Sequence, residues 1–128
     1  MRRLPTELHA ALDVALGTLL IVMPWLFGFE DDVRAGGVAV GAGATLLALS
    51  LLTRYEFGVL PVIPMSVHLA VDALVGVFLL TFALGGGLAG AGVRVWAAYL
   101  VTGVAALAGA LLSDPRPSRT SALQRLAA

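Results

Sequence analysis

His9-Ala10-Ala11-Leu12-Asp13-Val14-Ala15-Leu16-Gly17 and His68-Leu69-Ala70-Val71-Asp72-Ala73-Leu74-Val75-Gly76 are the two stretches that decide the fold. Each sets His, Asp and Gly at i, i+4 and i+8 in an otherwise apolar run, and the second begins 59 residues after the first. Residues four apart share one face of an α-helix, so each stretch predicts a helix with a polar, small-residue face turned inward. Together they hold both of the chain's 2 histidines. Outward from them the correspondence continues at an offset of 60: Arg34 with Arg94, Gly43 with Gly103, and Leu51-Leu52-Thr53 with Leu111-Leu112-Ser113. Self-similarity of this kind marks a structural unit used twice.

The surroundings say what kind of helix it is. Of 128 residues, 59% are hydrophobic and 12% charged, against about 45–50% and about 25% in soluble domains. A core this small cannot bury so much apolar surface, so lipid has to cover it. Crossing a bilayer of about 30 Å takes about 20 helical residues, because backbone polar groups in hydrocarbon must be satisfied within the segment. Four stretches qualify: residues 7–28, 35–53, 64–84 and 93–113. The expectation is an all-α membrane protein, a single transmembrane domain over 1–128. Its four helices form repeat 1 (7–54) and repeat 2 (64–114), followed by a tail (115–128). A unit that crosses twice returns the chain to the side it left, so the two repeats are expected in parallel orientation about an axis normal to the membrane.

The boundaries carry helix-stop chemistry. Glu30-Asp31-Asp32 closes the first helix, Pro61 and Pro64 precede the third, Gly85-Gly86-Gly87 ends it, and Asp114-Pro115-Arg116-Pro117 stops the fourth. Ser118 to Ala128 reads either as a short amphipathic helix or as a disordered tail. Met1-Arg2-Arg3 before an apolar run looks like a signal peptide, but no small-residue cleavage site follows, and the segment reads as a retained first helix. With both termini inside, the cytoplasmic side holds Arg2, Arg3, Arg54, Arg116, Arg119 and Arg125, and the other side Arg34 and Arg94. Positive charge favours the cytoplasm, so both termini are placed there.

Several function classes fall away. There are 0 cysteines, so thiolate metal sites and cysteine nucleophiles are excluded. The 8 basic residues are scattered arginines balanced by 8 acidic ones, which is no nucleic-acid surface. Ser50, Ser66 and Ser113 look isolated, and Gly85-Gly86-Gly87-Leu88-Ala89-Gly90 lacks the lysine and the strand of a phosphate-binding loop. The chain is expected to be no enzyme and to need no cofactor.

At Met23-Pro24-Trp25-Leu26-Phe27-Gly28-Phe29 the chain resembles the SPW-repeat family of small bacterial membrane proteins, named for a Ser-Pro-Trp motif in the first helix of a two-helix repeat. The resemblance extends over almost the whole chain. It takes in both His-x-x-x-Asp-x-x-x-Gly openings and the linker Tyr55-Glu56-Phe57-Gly58 through Ile63-Pro64-Met65. Met23 stands at the serine position, and Ala83-Leu84-Gly85 stands where a second Pro-Trp is expected. The resemblance implies the duplicated fold and a multi-pass place in a bacterial plasma membrane; it implies no activity. Read physically, Pro24 removes a helix hydrogen bond and Trp25 suits the headgroup level, as do Trp96 and Tyr99.

His9, Asp13, His68 and Asp72 are the candidate site. Its plainest reading pairs each His with the Asp one turn away, with Arg54 or an amino-terminal arginine adding charge, to fix helix register. The same four residues could bind a divalent metal, hold a haem between the two imidazoles, or serve a small transporter or channel. Helix contacts are expected at Gly17 and Gly76, at the Gly37-x-x-x-Gly41 step, and along Ala98, Thr102, Ala106 and Ala110. The leading expectation is a non-catalytic accessory subunit, in a respiratory or photosynthetic assembly or in a homo-oligomer. Its partners are then the lipid bilayer and other membrane proteins or itself.

Overall fold

The protein is described here by a computed structural model covering residues 4–54 and 58–116. Four helices follow one another: α1 Thr6–Phe27, α2 Val33–Leu52, α3 Met65–Leu84 and α4 Val93–Leu112. Each is long and apolar enough to cross a membrane, and the described residues form no strand. The protein is thus an all-α membrane protein, with four helices among the described residues. Helix ends fall within two residues of those read from the sequence.

Local chemistry sets the starts. Pro5 and Pro64 cap α1 and α3 with extended backbones (ψ 148° and 145°), and their carbonyls accept from His9 N and His68 N at 3.0 and 3.1 Å. Each histidine is thereby fixed one turn into its helix. The acidic run acts differently from expectation: Gly28, at φ 70°, ends α1 in the left-handed region, where glycine bears no Cβ penalty. Asp32 instead caps α2, its Oδ1 accepting from Arg34 N and Ala35 N at 3.1 and 2.9 Å.

α1 packs along α2 and α3 along α4, and the two hairpins meet mainly through α1 and α4. Glycine sets both intra-hairpin crossings. A Cβ on Gly43 would lie 2.5 Å from Gly17 O, and one on Gly76 would lie 2.7 Å from Leu107 N and 2.9 Å from Gly103 O. Without side chains there, backbones approach closely and dispersion contacts multiply. The Gly37 and Gly41 step, expected at a helix contact, is not one of these crossings: a Cβ on either meets nothing within 4 Å. On α4 the small stripe is used as read, with Thr102, Ala106 and Ala110 buried.

The core is built from Leu20, Met23, Ala35, Ala39, Leu46, Leu79 and Tyr99, all fully buried. Tyr99 departs from the expected interfacial belt. Its hydroxyl donates to Ala35 O, which makes it a core tether between α4 and α2. Pro24 is likewise buried and faces Gly36 at the start of α2, whereas Trp25 is 63% exposed, as a headgroup-level ring requires. Trp96 is part-exposed and donates from Nε1 to Ala83 O at 3.1 Å. Leu74, Val101 and Leu111 point outward, about 70% exposed, onto the surface lipid would cover.

At the end of the bundle opposite Gly28, two short straps close the helix termini. Leu4 N donates to Leu112 O at 2.8 Å, and Ile63 N to Leu52 O at 2.8 Å, so the last carbonyls of α4 and α2 find donors. The expectations placed on Arg2, Arg3, Arg119, Arg125, Tyr55-Glu56-Phe57 and the helix from Ser118 fall outside the described residues.

Candidate functional site

The four residues singled out in the sequence come together. His9 and Asp13 project from α1, His68 and Asp72 from α3, and their side chains are at most 7% exposed. His9 Nε2 lies 3.1 Å from both Asp13 Oδ2 and Asp72 Oδ2; His68 Nε2 lies 2.7 and 2.9 Å from the same two oxygens. The pairing one turn away on the same helix is therefore present, and pairing across the helices accompanies it. The imidazoles meet edge to face, centroids 5.4 Å apart.

Two hydroxyls complete the site. Thr53 Oγ1 is 2.7 Å from His68 Nδ1 and 2.6 Å from Leu49 O. Ser113 Oγ is 2.8 Å from His9 Nδ1 and 2.6 Å from Gly109 O. Each hydroxyl has one hydrogen, and the helix carbonyl four residues back takes it, so the oxygen accepts from Nδ1–H. Both imidazoles are thus held in one orientation with Nε2 toward the carboxylates. The support crosses between hairpins: Thr53 at the end of α2 holds the histidine of α3, and Ser113 at the end of α4 holds that of α1.

Nothing in the one-dimensional pattern around Thr53 and Ser113 marks them as site residues on its own. The available signal was their recurrence at the end of Leu-Leu-Thr and Leu-Leu-Ser, 60 residues apart. Ser113 is not isolated, as the sequence made it look. Its contact with His9, and through His9 with Asp72, has the composition of a Ser-His-Asp triad. A nucleophile must pass its proton to the imidazole, and this hydroxyl gives it to Gly109 O while lying 3% exposed. Arg54 is not a partner of the quartet either: its Nε donates to Pro61 O at 2.9 Å in the connection between the hairpins. The haem arrangement fails on space. The carboxylate oxygens lie within 3.1 Å of both Nε2 atoms, so no slot remains between the rings for a macrocycle.

A second feature lies outside the bundle. Gly37, Gly41 and Thr45 of α2 and Val71, Leu74, Val75 and Phe78 of α3 line an open apolar groove of about 650 Å³, with Arg34 at its rim. Arg34 donates to Gly87 O at 2.8 Å. The corresponding face on the other side, between α4 and α1, carries two smaller grooves: one of about 360 Å³ lined by Arg94, Ala97, Ala98, Val101, Thr102, Leu19 and Phe27, and one of about 190 Å³ lined by Leu12, Asp13, Ala15, Leu16, Leu19, Ala105 and Gly109.

Comparison with protein families, curated proteins and solved structures finds no match to this chain.

Proposed function

We propose that the protein is a non-catalytic integral membrane protein that works by helix contact within the bilayer, as an accessory subunit of a larger membrane assembly. The observation that carries this reading is the groove at Gly37 and Gly41. Small residues four apart let a foreign helix approach the backbone of α2, and here that face is open. The occupant is a helix of a different chain. A second copy, inserted in the same sense, would bring two Arg34 guanidinium groups to the same depth across a narrow contact, and like charges repel.

The quartet then serves as an internal lock. It ties α1 to α3 and, through Thr53 and Ser113, each hairpin to the other, so the outer face of α2 is presented on a fixed frame. Contacts that recur at offsets of 59 and 60 are what two parallel copies of one two-helix unit would leave. The proposed setting is a bacterial plasma membrane with both termini cytoplasmic. A transport role would need the quartet open to water, and its near-complete burial favours the lock.

Blue-native electrophoresis of gently solubilised native membranes, with mass spectrometry of the band, tests the proposal. Co-migration with other membrane proteins, lost on Gly37→Ile and Gly41→Ile, is the expected result. A small band containing this chain alone sinks it.

A further inference from the structure

We propose that His9, Asp13, His68 and Asp72 form a four-ligand site for a divalent transition-metal ion, with Thr53 and Ser113 orienting the imidazoles toward it. One ligand atom from each residue lies within 4.8 Å of the other three. The donor set is two imidazole nitrogens and two carboxylate oxygens, which suits ions of the copper, nickel, zinc and iron group.

Two observations favour a metal over a purely hydrogen-bonded quartet. The first is the orientation of the carboxylates. A carboxylate accepting from two N–H groups has two oxygens to offer, yet Asp72 turns the same Oδ2 toward both imidazoles. Its Oδ1 is left buried with no hydrogen-bond partner. One oxygen shared at the centre and the other orphaned is the geometry of a carboxylate aimed at an ion. The second is the hydroxyl support. With Nδ1–H taken by Thr53 and Ser113, the Nε2 of a neutral imidazole presents its lone pair, and four lone pairs then converge on one point. Metal-bound histidines are held in this way, the second ring nitrogen donating to a fixed acceptor. Charge balance is met as well: with the imidazoles neutral, the two buried carboxylates carry −2, which one divalent ion cancels just as two imidazolium groups would.

The four neighbouring Nε2–Oδ2 distances run from 2.7 to 3.1 Å. With bonds of about 2.0–2.1 Å, a tetrahedral zinc site has ligand edges of about 3.3–3.4 Å. A planar arrangement at the same bond length has edges of about 2.8–3.0 Å, the tetragonal preference of Cu(II) and Ni(II). The edges match the tetragonal value as they stand, and zinc requires the side chains to spread by a few tenths of an ångström.

The test uses the full-length, untagged protein in detergent micelles, stripped with chelator, loaded with Cu²⁺ or Zn²⁺ and desalted. One ion per chain is expected, and the copper form should show hyperfine splitting from two equivalent nitrogens by electron paramagnetic resonance. His9→Gln with His68→Gln should abolish the nitrogen pattern. Because removing ligands can unfold the bundle, Thr53→Val with Ser113→Ala gives a second measure. It keeps all four ligands, and helical circular dichroism confirms the fold. Loss of this outer support should weaken affinity about 10- to 100-fold. Wild type retaining no more metal than the double Gln variant would falsify the site. So would a copper signal without nitrogen splitting, which would place the ion on oxygen donors away from the two imidazoles.

Discussion

The two outer faces of the bundle occupy matching places, yet they differ in a way the interior does not. Inside, positions 59 or 60 apart do the same job in both hairpins. Gly17 meets Gly43 as Gly76 meets Gly103, His9 rests on Ser113 as His68 rests on Thr53, and Leu20 and Leu79 are both fully buried. Outside, Arg34 and Arg94 still correspond, but Gly37 and Gly41 face Ala97 and Val101 in the register, and the single groove of about 650 Å³ is replaced by two smaller ones of about 360 and about 190 Å³. Side chains packed on one another have few alternatives, and a lipid-facing groove is under no such constraint. The α2 groove is therefore continuous where its counterpart is divided, and that continuity is free to serve a contact outside the bundle.

The largest expected effect comes from breaking the interior match at the quartet. His68→Leu leaves two carboxylates buried with one imidazole between them, and stripping a buried charge of its partner costs about 3–5 kcal/mol. His9→Leu should cost the same, because its contacts are the counterparts of those of His68. Thermal unfolding in detergent, followed by helical circular dichroism, measures both. A pair of midpoints that differ widely would show that the two hairpins contribute unequally to the lock.

The crossings should show a graded asymmetry. Gly43→Ala drives a methyl to 2.5 Å from Gly17 O, a backbone atom that cannot turn aside, and overpacking of this kind costs about 1–3 kcal/mol. At Gly103 the nearest atom is Leu80 Cγ at 2.9 Å, with Gly76 O at 3.2 Å. A flexible side chain can yield, so Gly103→Ala should lower the midpoint less than Gly43→Ala. Equal losses would mean the two crossings are held with the same tightness. Next in size is Ser113→Ala, which leaves His9 Nδ1–H without its acceptor and costs about 1 kcal/mol or somewhat more. Thr53→Val should match it in the same unfolding experiment.

The apolar lengths, the glycine-rich linkers and the doubled His-Asp-Gly spacing made the four spans and the quartet legible in the sequence. Spacing on one helix was enough to place His9 beside Asp13. It could not show that Nε2 of each imidazole would face both carboxylates, because that depends on how α1 and α3 are set side by side. Thr53 and Ser113 are not legible in this way, because a hydroxyl at a helix end is ordinary until its acceptor and its donor are both known. Tyr99 was misplaced for a related reason: an aromatic near a helix start suits the headgroup level, and only the packing of α4 on α2 turns it inward. Gly37 and Gly41 mislead in the opposite sense. A GxxxG step states that a close approach is possible, and it does not say whether the approaching helix belongs to the same chain.

The smallest effect on the isolated chain is expected at those two glycines, and it bears most directly on the difference between the grooves. Gly37→Ile with Gly41→Ile puts side chains where a Cβ meets nothing within 4 Å. Substitutions clear of any packed feature shift stability by about 0.5 kcal/mol or less. The unfolding midpoint in detergent should therefore stay where it is, while co-migration with a larger assembly in native membranes disappears. The converse exchange, Ala97→Gly with Val101→Gly, should deepen the α4 groove without recruiting anything, because the partner's contacts are made with α2. Should filling the α2 groove lower the midpoint by more than a kcal/mol, the groove would be part of the bundle's own packing. The difference between the two sides would then say nothing about a partner.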